Sequence, residues 1–260
     1  KQTGEKMKQP KILFFDIETA PILGYMWSIW DQTISLNQIK QDWFVISWAA
    51  KWADSNEVMY MDQRNARNVE NDKKLLQGIW KLLDEADIVV TQNGQAFDQK
   101  KLYARFAING LKPPSGFKHY DTKKIASKHF AFTSNKLEYL SDKLNKKYKK
   151  IKNSGFTLWT RCLAGDQDAW KEMEKYNKYD VLALEELYTT LRAWEPKVNY
   201  SVYSDDTDQV CVCGSDSLKK KGYAYTAIAK YQRYVCNDCG KNYQGRSNLL
   251  TTEKNKSLLK

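Results

Sequence analysis

The chain has 260 residues, with 42 Lys and Arg against 31 Asp and Glu, a formal net charge of +11 and a pI near 9.2. That length holds one large domain and a small one, and the basic balance favours a polyanionic partner. No apolar run approaches the ~20 residues of a helical membrane span, which excludes that class.

In chain order, residues 1–9 are polar and read as a loose tail. Lys11-Ile12-Leu13-Phe14-Phe15 is a short apolar run that reads as a buried strand. It leads into Asp16-Ile17-Glu18-Thr19, and residues two apart on a strand share a face, so Asp16 and Glu18 point the same way. Strands are expected over 44–52 and 57–62, a helix over about 69–85, and a strand over Asp87-Ile88-Val89-Val90-Thr91. The turn Asn93-Gly94 follows, and a helix is expected to start near Asp98 and run through Leu102 and Phe106.

Further helices are expected over 121–130 and 136–145. The densest positive stretch, Lys143 to Lys152, has Tyr148 set within it. Such a run is either a solvated face or a contact to a nucleic-acid backbone. Leu184, Leu187, Tyr188 and Leu191 recur at helical spacing within 168–194, which places Tyr176 and Asp180 at i and i+4 on one helix face. Pro196 is expected to stop that helix. Residues 196–208 read as a linker, and no repeat is visible.

Each acidic pair has an ordinary explanation in isolation, as a solvated pair or a turn. What singles them out is two carboxylates at the end of an apolar strand, where burial is costly unless a cation neutralises them. Carboxylates gathered from three distant segments suit two divalent cations, which can activate water and stabilise the leaving oxygen in phosphodiester hydrolysis.

The segments Phe15-Asp16-Ile17-Glu18-Thr19, Asn93-Gly94-Gln95-Ala96-Phe97-Asp98 and Tyr176-Asn177-Lys178-Tyr179-Asp180 together resemble the three motifs of the DEDD exonucleases. The tyrosine four before the last aspartate resembles the DEDDy branch; the histidine branch would need histidine at the position of Lys175. Over residues 10–195 the chain is similar to the proofreading domains of family B DNA polymerases and to stand-alone phage exonucleases with a C-terminal zinc ribbon. The resemblance implies an α/β fold, an RNase H-like mixed β-sheet flanked by helices. It implies a 3′–5′ exonuclease acting on single-stranded DNA with two magnesium or manganese ions. Asp16, Glu18 and Asp180 would hold the ion that binds the attacking water. Asp16 would bridge to the second ion, with Asp98 acting directly or through waters, and Tyr176 would orient the water. Asn93, Phe97 and Thr19 would contact the terminal nucleotides. Proofreading in trans beside a separate DNA polymerase, in the cytoplasm, is the setting so implied. An RNA-directed or structure-specific nuclease on the same fold, or a non-catalytic nucleic-acid adaptor, are the rival readings.

The 9 Trp, 9 Phe and 16 Tyr offer flat faces on which unpaired bases can stack, although most such rings fill cores. Trp27, Trp30 and Trp43 follow the first motif and are candidates for the wall of a substrate cleft.

Four of the five cysteines form two close pairs, Cys211/Cys213 and Cys236/Cys239, separated by 22 residues. Two such pairs can set four thiolates around one tetrahedral zinc, and residues 223–228 and 231–235 between them read as a hairpin. The segment resembles a small zinc-ribbon β domain over 209–246, and a flexible tail is expected over 247–260. Cys-x-Cys departs from the usual Cys-x-x-Cys, and two disulfides or a redox pair are the alternatives. No signal-peptide pattern supports disulfides. Cys162 reads as an ordinary buried thiol. Lys219, Lys220, Lys221, Lys230, Arg233, Lys241 and Arg246 would track a phosphate backbone, or the ribbon would dock a replication partner.

Overall fold

The computed structural model describes residues 10–195, 197–203 and 209–259. The expectations for the first nine residues, for Pro196 and for the last five residues of the linker lie outside them. The chain forms two compact units, one of Lys11–Tyr188 and one that takes up the chain from Thr189 onward.

The first unit opens with β1 (Ile12–Thr19), a two-stranded arm of β2 (Leu23–Gly24) and β3 (Ile39–Gln41), then β4 (Val45–Trp52) and β5 (Met59–Asp62). There follow α1 (Lys73–Glu85), β6 (Ile88–Thr91), α2 (Asp98–Ile108), β7 (Lys118–Asp121), α3 (Thr122–His129), α4 (Leu137–Leu144), α5 (Phe156–Leu163) and α6 (Gln167–Leu191). The sheet order is β5-β4-β1-β6-β7. β1 pairs antiparallel with β4 and parallel with β6, so the strand carrying Asp16 and Glu18 lies at the centre. The sheet is therefore mixed, with helices on its faces, as expected.

Alternation along β1 sorts its side chains between two cores. Leu13, Phe15 and Ile17 join Leu75, Leu76, Ile79 and Leu83 of α1 and Leu102 and Phe106 of α2 in one buried cluster. The opposite face carries Phe14, Asp16 and Glu18; Phe14 meets the ring of Tyr188 edge-on at 5.8 Å. A second cluster joins Phe44 and Ile46 to Leu158 of α5 and to Trp170, Met173 and Tyr176 of α6.

Three elements depart from the sequence reading. β7 was not expected, because Lys118-His119-Tyr120-Asp121 shows no apolar run; its strand form comes from parallel pairing with β6. α5 follows Gly155, at φ 68, and places Trp159 and Cys162 on the α6 side. The arm of β2 and β3 has no counterpart in the expected strands, and the loop it closes leaves Trp27 and Trp30 exposed.

In the second unit, β8 (Leu218–Tyr225), β9 (Lys230–Cys236) and β10 (Asn242–Gln244) form an antiparallel sheet ordered β10-β9-β8. β8 begins five residues before the expected strand. The segment read as a tail is bonded to the hairpin: Leu249 N–H donates to the Lys230 carbonyl at 2.7 Å, and Lys230 N–H to Asn248 Oδ1 at 3.1 Å. Beyond it lies α7 (Thr252–Lys256), whose first turn is capped by Thr251 Oγ1 accepting from Lys254 N–H. Among the described residues no helix is long and apolar enough to cross a membrane.

Candidate functional site

Asp16 and Glu18 stand opposite Ala49 and Ser47 of β4 and share the face that α6 covers. The backbone N–H of Ile17, between them, donates to Asp98 Oδ1 at 3.2 Å, which ties the start of α2 to the centre of β1. α6 contributes Tyr176 and Asp180. These five residues, with Asn93 and Phe97, line one pocket of about 370 Å³. Thr19 is the exception among the expected site residues. It lines a neighbouring, more apolar pocket of about 480 Å³ with Trp43, Lys101, Phe156 and Trp159. A larger hollow of about 720 Å³, along Met61–Gln77, holds none of the expected site residues.

The loop before α2 is shaped by contacts that only the fold supplies. Asn93 adopts φ 68, and its N–H donates to Asp121 Oδ1 at 2.9 Å. The same carboxylate accepts from the N–H groups of Gln95 and Lys123, so β7 and α3 hold the loop that presents Phe97 and Asp98. Phe97 is partly exposed at the pocket, with Lys101 Nζ 5.5 Å from its ring centroid.

Asp98 and Asp180 are buried; Asp16 and Glu18 keep part of their surface open to the pocket. Enclosure by protein, then the negative charges of Asp98, Glu18 and Asp180, hold the Asp16 carboxyl well above its ordinary range. Burial and the charge of Asp180 push Glu18 up to about 8, against the pull of Lys150. Burial pushes Asp98 up to about 7, although the Ile17 N–H opposes it. Burial also raises Asp180 and keeps the Tyr176 phenol un-ionised, with Asp180, Glu18 and Asp16 adding to the second effect. Asp180 Oδ1 is buried and accepts no hydrogen bond.

Two residues not expected from sequence complete the site. Lys150 Nζ reaches Asp180 Oδ2 at 3.0 Å and lies 5.0 Å from the Tyr176 ring centroid. Burial alone would lower its pKa, but Asp180, Asp16 and Glu18 outweigh this and raise it. Its neighbours in the lysine run point elsewhere; Lys143 and Lys149 pair with Asp142. Asn177 Nδ2 donates to Asp16 Oδ2 at 2.7 Å while its Oδ1 accepts from Ser47 Oγ at 3.2 Å. The signal for Asn177 was its place beside Tyr176. Nothing in a run of lysines marked Lys150.

The carboxylates fit a cation by chemistry: all-oxygen donors, crowded negative charge and one unpaired buried oxygen suit a hard divalent ion. No three of them bring oxygens within 4.8 Å of one another, and Lys150 supplies the positive charge at Asp180.

The cysteines do meet. Among the described residues, the thiols of Cys211, Cys213, Cys236 and Cys239 are the one group of metal-ligating type lying within 4.8 Å of one another. All are free, with Cys211 and Cys239 sulfurs 3.5 Å apart and Cys213 and Cys236 3.8 Å apart. A tetrahedron with metal–sulfur bonds of about 2.3 Å sets its sulfurs roughly 3.8 Å apart, so the cluster fits one zinc-sized ion. The contact from Cys213, supported by its N–H and by Tyr243, pushes the Cys211 thiol down to about 4. Cys162 lies apart, buried beneath α6, and burial raises its thiol to about 12.

No curated protein matches this sequence. Among solved structures, the family B DNA polymerase from the hyperthermophilic archaeon Pyrobaculum calidifontis is similar at 12% identity and a TM-score of 0.50, over 86% of this chain. The match spans 32% of that polymerase, and at this identity it speaks for the fold alone. A family model described as RNase H superfamily matches residues 13–192, the span that holds the five-stranded sheet and every acidic motif. With that match added to the central acidic strand and the mixed sheet, the chain belongs to the RNase H superfamily.

Proposed function

We propose that this chain is a divalent-metal-dependent 3′–5′ exonuclease of the DEDDy type, acting on single-stranded DNA. The observation that carries the reading is the convergence of Asp16, Glu18, Asp98 and Asp180 on one pocket, with all four carboxyls raised by burial and those of Asp16 and Glu18 raised further by their acidic neighbours. These four would hold magnesium or manganese. When bound, such ions lower the pKa of water and neutralise charge on the scissile phosphate.

The chain's own groups do the rest. The Tyr176 hydroxyl, kept protonated, hydrogen-bonds and orients a water for in-line attack. Asn177 holds Asp16 in its rotamer. Lys150, with Lys123 and Lys136 also on the pocket wall, offers positive charge to phosphate oxygens. Phe97 packs on the terminal base, Asn93 and Thr19 contact the last nucleotides, and water is kept from the buried side by Trp159, whose ring meets Tyr176 at 6.2 Å.

The test is degradation of a 5′-labelled single-stranded DNA with magnesium, beside a metal-free lane, Asp16→Ala and Tyr176→Phe, with an RNA of the same sequence in parallel. The expected result is a ladder shortening from the 3′ end. Asp16→Ala should abolish it, and Tyr176→Phe should slow it roughly 10²-fold, the lower end for a proton-handling group. Internal cuts, or an intact substrate in every lane, would overturn the reading; cleavage of the RNA alone would overturn its substrate. Proofreading beside a separate polymerase is the setting this activity fits. Co-purification with the cognate polymerase and raised fidelity are expected, and the absence of both would remove that setting.

The four clustered cysteines are proposed to hold one structural zinc. Elemental analysis of the purified chain should give one zinc per molecule, lost in Cys213→Ser with the hairpin's ordered signals. A zinc-free but folded hairpin would count against it.

A further inference from the structure

The β8–β9 hairpin carries positive charge that neither the candidate active site nor the cysteine cluster uses. From Leu218 to Cys236 it holds Lys219, Lys220, Lys221, Lys230 and Arg233 and no acidic residue. The ion pairs among the described residues all lie elsewhere. Lys241, grouped with these cations by sequence, behaves differently. Its Nζ turns inward to the Glu195 carbonyl at 3.0 Å, and burial lowers its pKa.

Strand register gathers four of the hairpin's residues on one face. Residues directly opposite in an antiparallel pair share a face. Lys220 stands opposite Tyr234, Tyr223 opposite Gln232, and Tyr225 opposite Lys230. Lys220 and Tyr223 are three apart, which regular alternation would put on opposite faces. A bulge between them, with Gly222 at φ 63, takes up the extra residue and brings both to the same side. Tyr223 and Tyr225 are 44% and 70% exposed, and their rings lie 6.5 Å apart. Lys230 Nζ sits 3.9 Å from the Tyr223 centroid and 6.0 Å from that of Tyr225.

We propose that this face is a second nucleic-acid site, binding a single strand with phosphates on Lys220 and Lys230 and unpaired bases on Tyr223 and Tyr225. Exposed rings interleaved with cations that no carboxylate neutralises match a polyanion that also presents flat apolar faces. An acidic peptide would answer the lysines and leave the rings without a partner. The site rests on the hairpin alone and stands whether or not the carboxylate pocket is catalytic.

The test uses the full zinc-loaded chain carrying Asp16→Ala, without magnesium, so that binding is read and cleavage is not. Anisotropy of a labelled 20-nucleotide oligo(dT) is titrated against salt for Tyr223→Ala/Tyr225→Ala, for Lys220→Ala/Lys230→Ala, and for a charge-matched control, Lys73→Ala/Lys74→Ala on α1. All these side chains are exposed or half-exposed, so the fold should hold. The tyrosine pair should weaken single-strand binding at least about tenfold, stacking on each ring being the larger contribution. The lysine pair should lower the salt slope by about 1.4, two phosphates at ~0.7 each on a single strand. A duplex of the same length should respond to the lysine pair and not to the tyrosine pair. Unchanged affinity in both hairpin variants, or losses no larger than the α1 control, would overturn the proposal. Equal loss on duplex and single strand from the tyrosine pair would overturn its stacking half.

Discussion

Gly94 shows how one missing side chain sets the candidate site. A Cβ there would lie 2.2 Å from Thr91 Oγ1 and 2.5 Å from Thr91 Cβ. Thr91 cannot swing aside freely, because it is buried in β6 and its hydroxyl bonds His119 Nε2 at 2.8 Å. Gly94→Ala must therefore lift the loop that carries Asn93, Phe97 and Asp98. Overpacking of this kind costs about 1–3 kcal/mol. A lower melting temperature and at least a tenfold loss of catalysis are expected, with Thr91→Ala in the same chain restoring part of the stability. A variant as stable as the parent would show that the loop has another way to relax. At this scale the sequence is a good guide to groups whose partners are local. Asp16 and Glu18 share a face because strands alternate, and Tyr176 and Asp180 because helices turn every 3.6 residues. Asn177 and Lys150 escape that logic, since their partners stand 161 and 30 residues away.

Elements are joined by a buried ion pair. Asp72, at the start of α1, is wholly enclosed and accepts from Arg105 Nε and Nη2 of α2, both at 2.8 Å. It also accepts from Val45 N–H of β4 at 3.0 Å. One carboxylate thus ties two helices to the strand beside β1. Arg105→Met leaves that charge buried without its cation, and a loss of roughly 3–5 kcal/mol is expected in urea unfolding. The double variant Asp72→Asn/Arg105→Met should be less damaging than Arg105→Met alone; equal damage would show that packing, and not charge, sets the cost. The long helices and the apolar strands were legible from period and hydrophobic runs. β7 and α5 were not: the first is a strand only because β6 offers it a ladder, the second a helix buried by cores from other segments.

At the scale of the whole molecule, the pocket holds its carboxyls above their ordinary range chiefly by burial, a cost that a bound cation would relieve. Burial and the charge of Asp180 push Glu18 up to about 8 in the folded chain, above its ordinary value when unfolded, so the native state binds more protons between those limits. Stability of the metal-free protein is therefore greatest below that window and falls as pH rises through it to about 8. Thermal melts of chain dialysed free of magnesium should drop from pH 5 to pH 8.5, and added magnesium should flatten the profile. A metal-free profile already flat over this range would mean the carboxyls are ionised without strain. Metal uptake near pH 7 should also release protons, measurable as buffer-dependent heats.

The sequence by itself determined the chemistry on offer: three acidic motifs on regular elements, a mixed α/β order, and two cysteine pairs at metal-ligand spacing. Each of those is written in short windows, where backbone period and residue type suffice. Only the tertiary structure decided that the acids share one pocket while Thr19 turns to its neighbour, that Lys150 alone of its run reaches Asp180, and that a bulge at Gly222 puts two tyrosines and two lysines on one face. Those outcomes depend on distance and enclosure between segments far apart in the chain, and charge interactions and burial are set by separation in space.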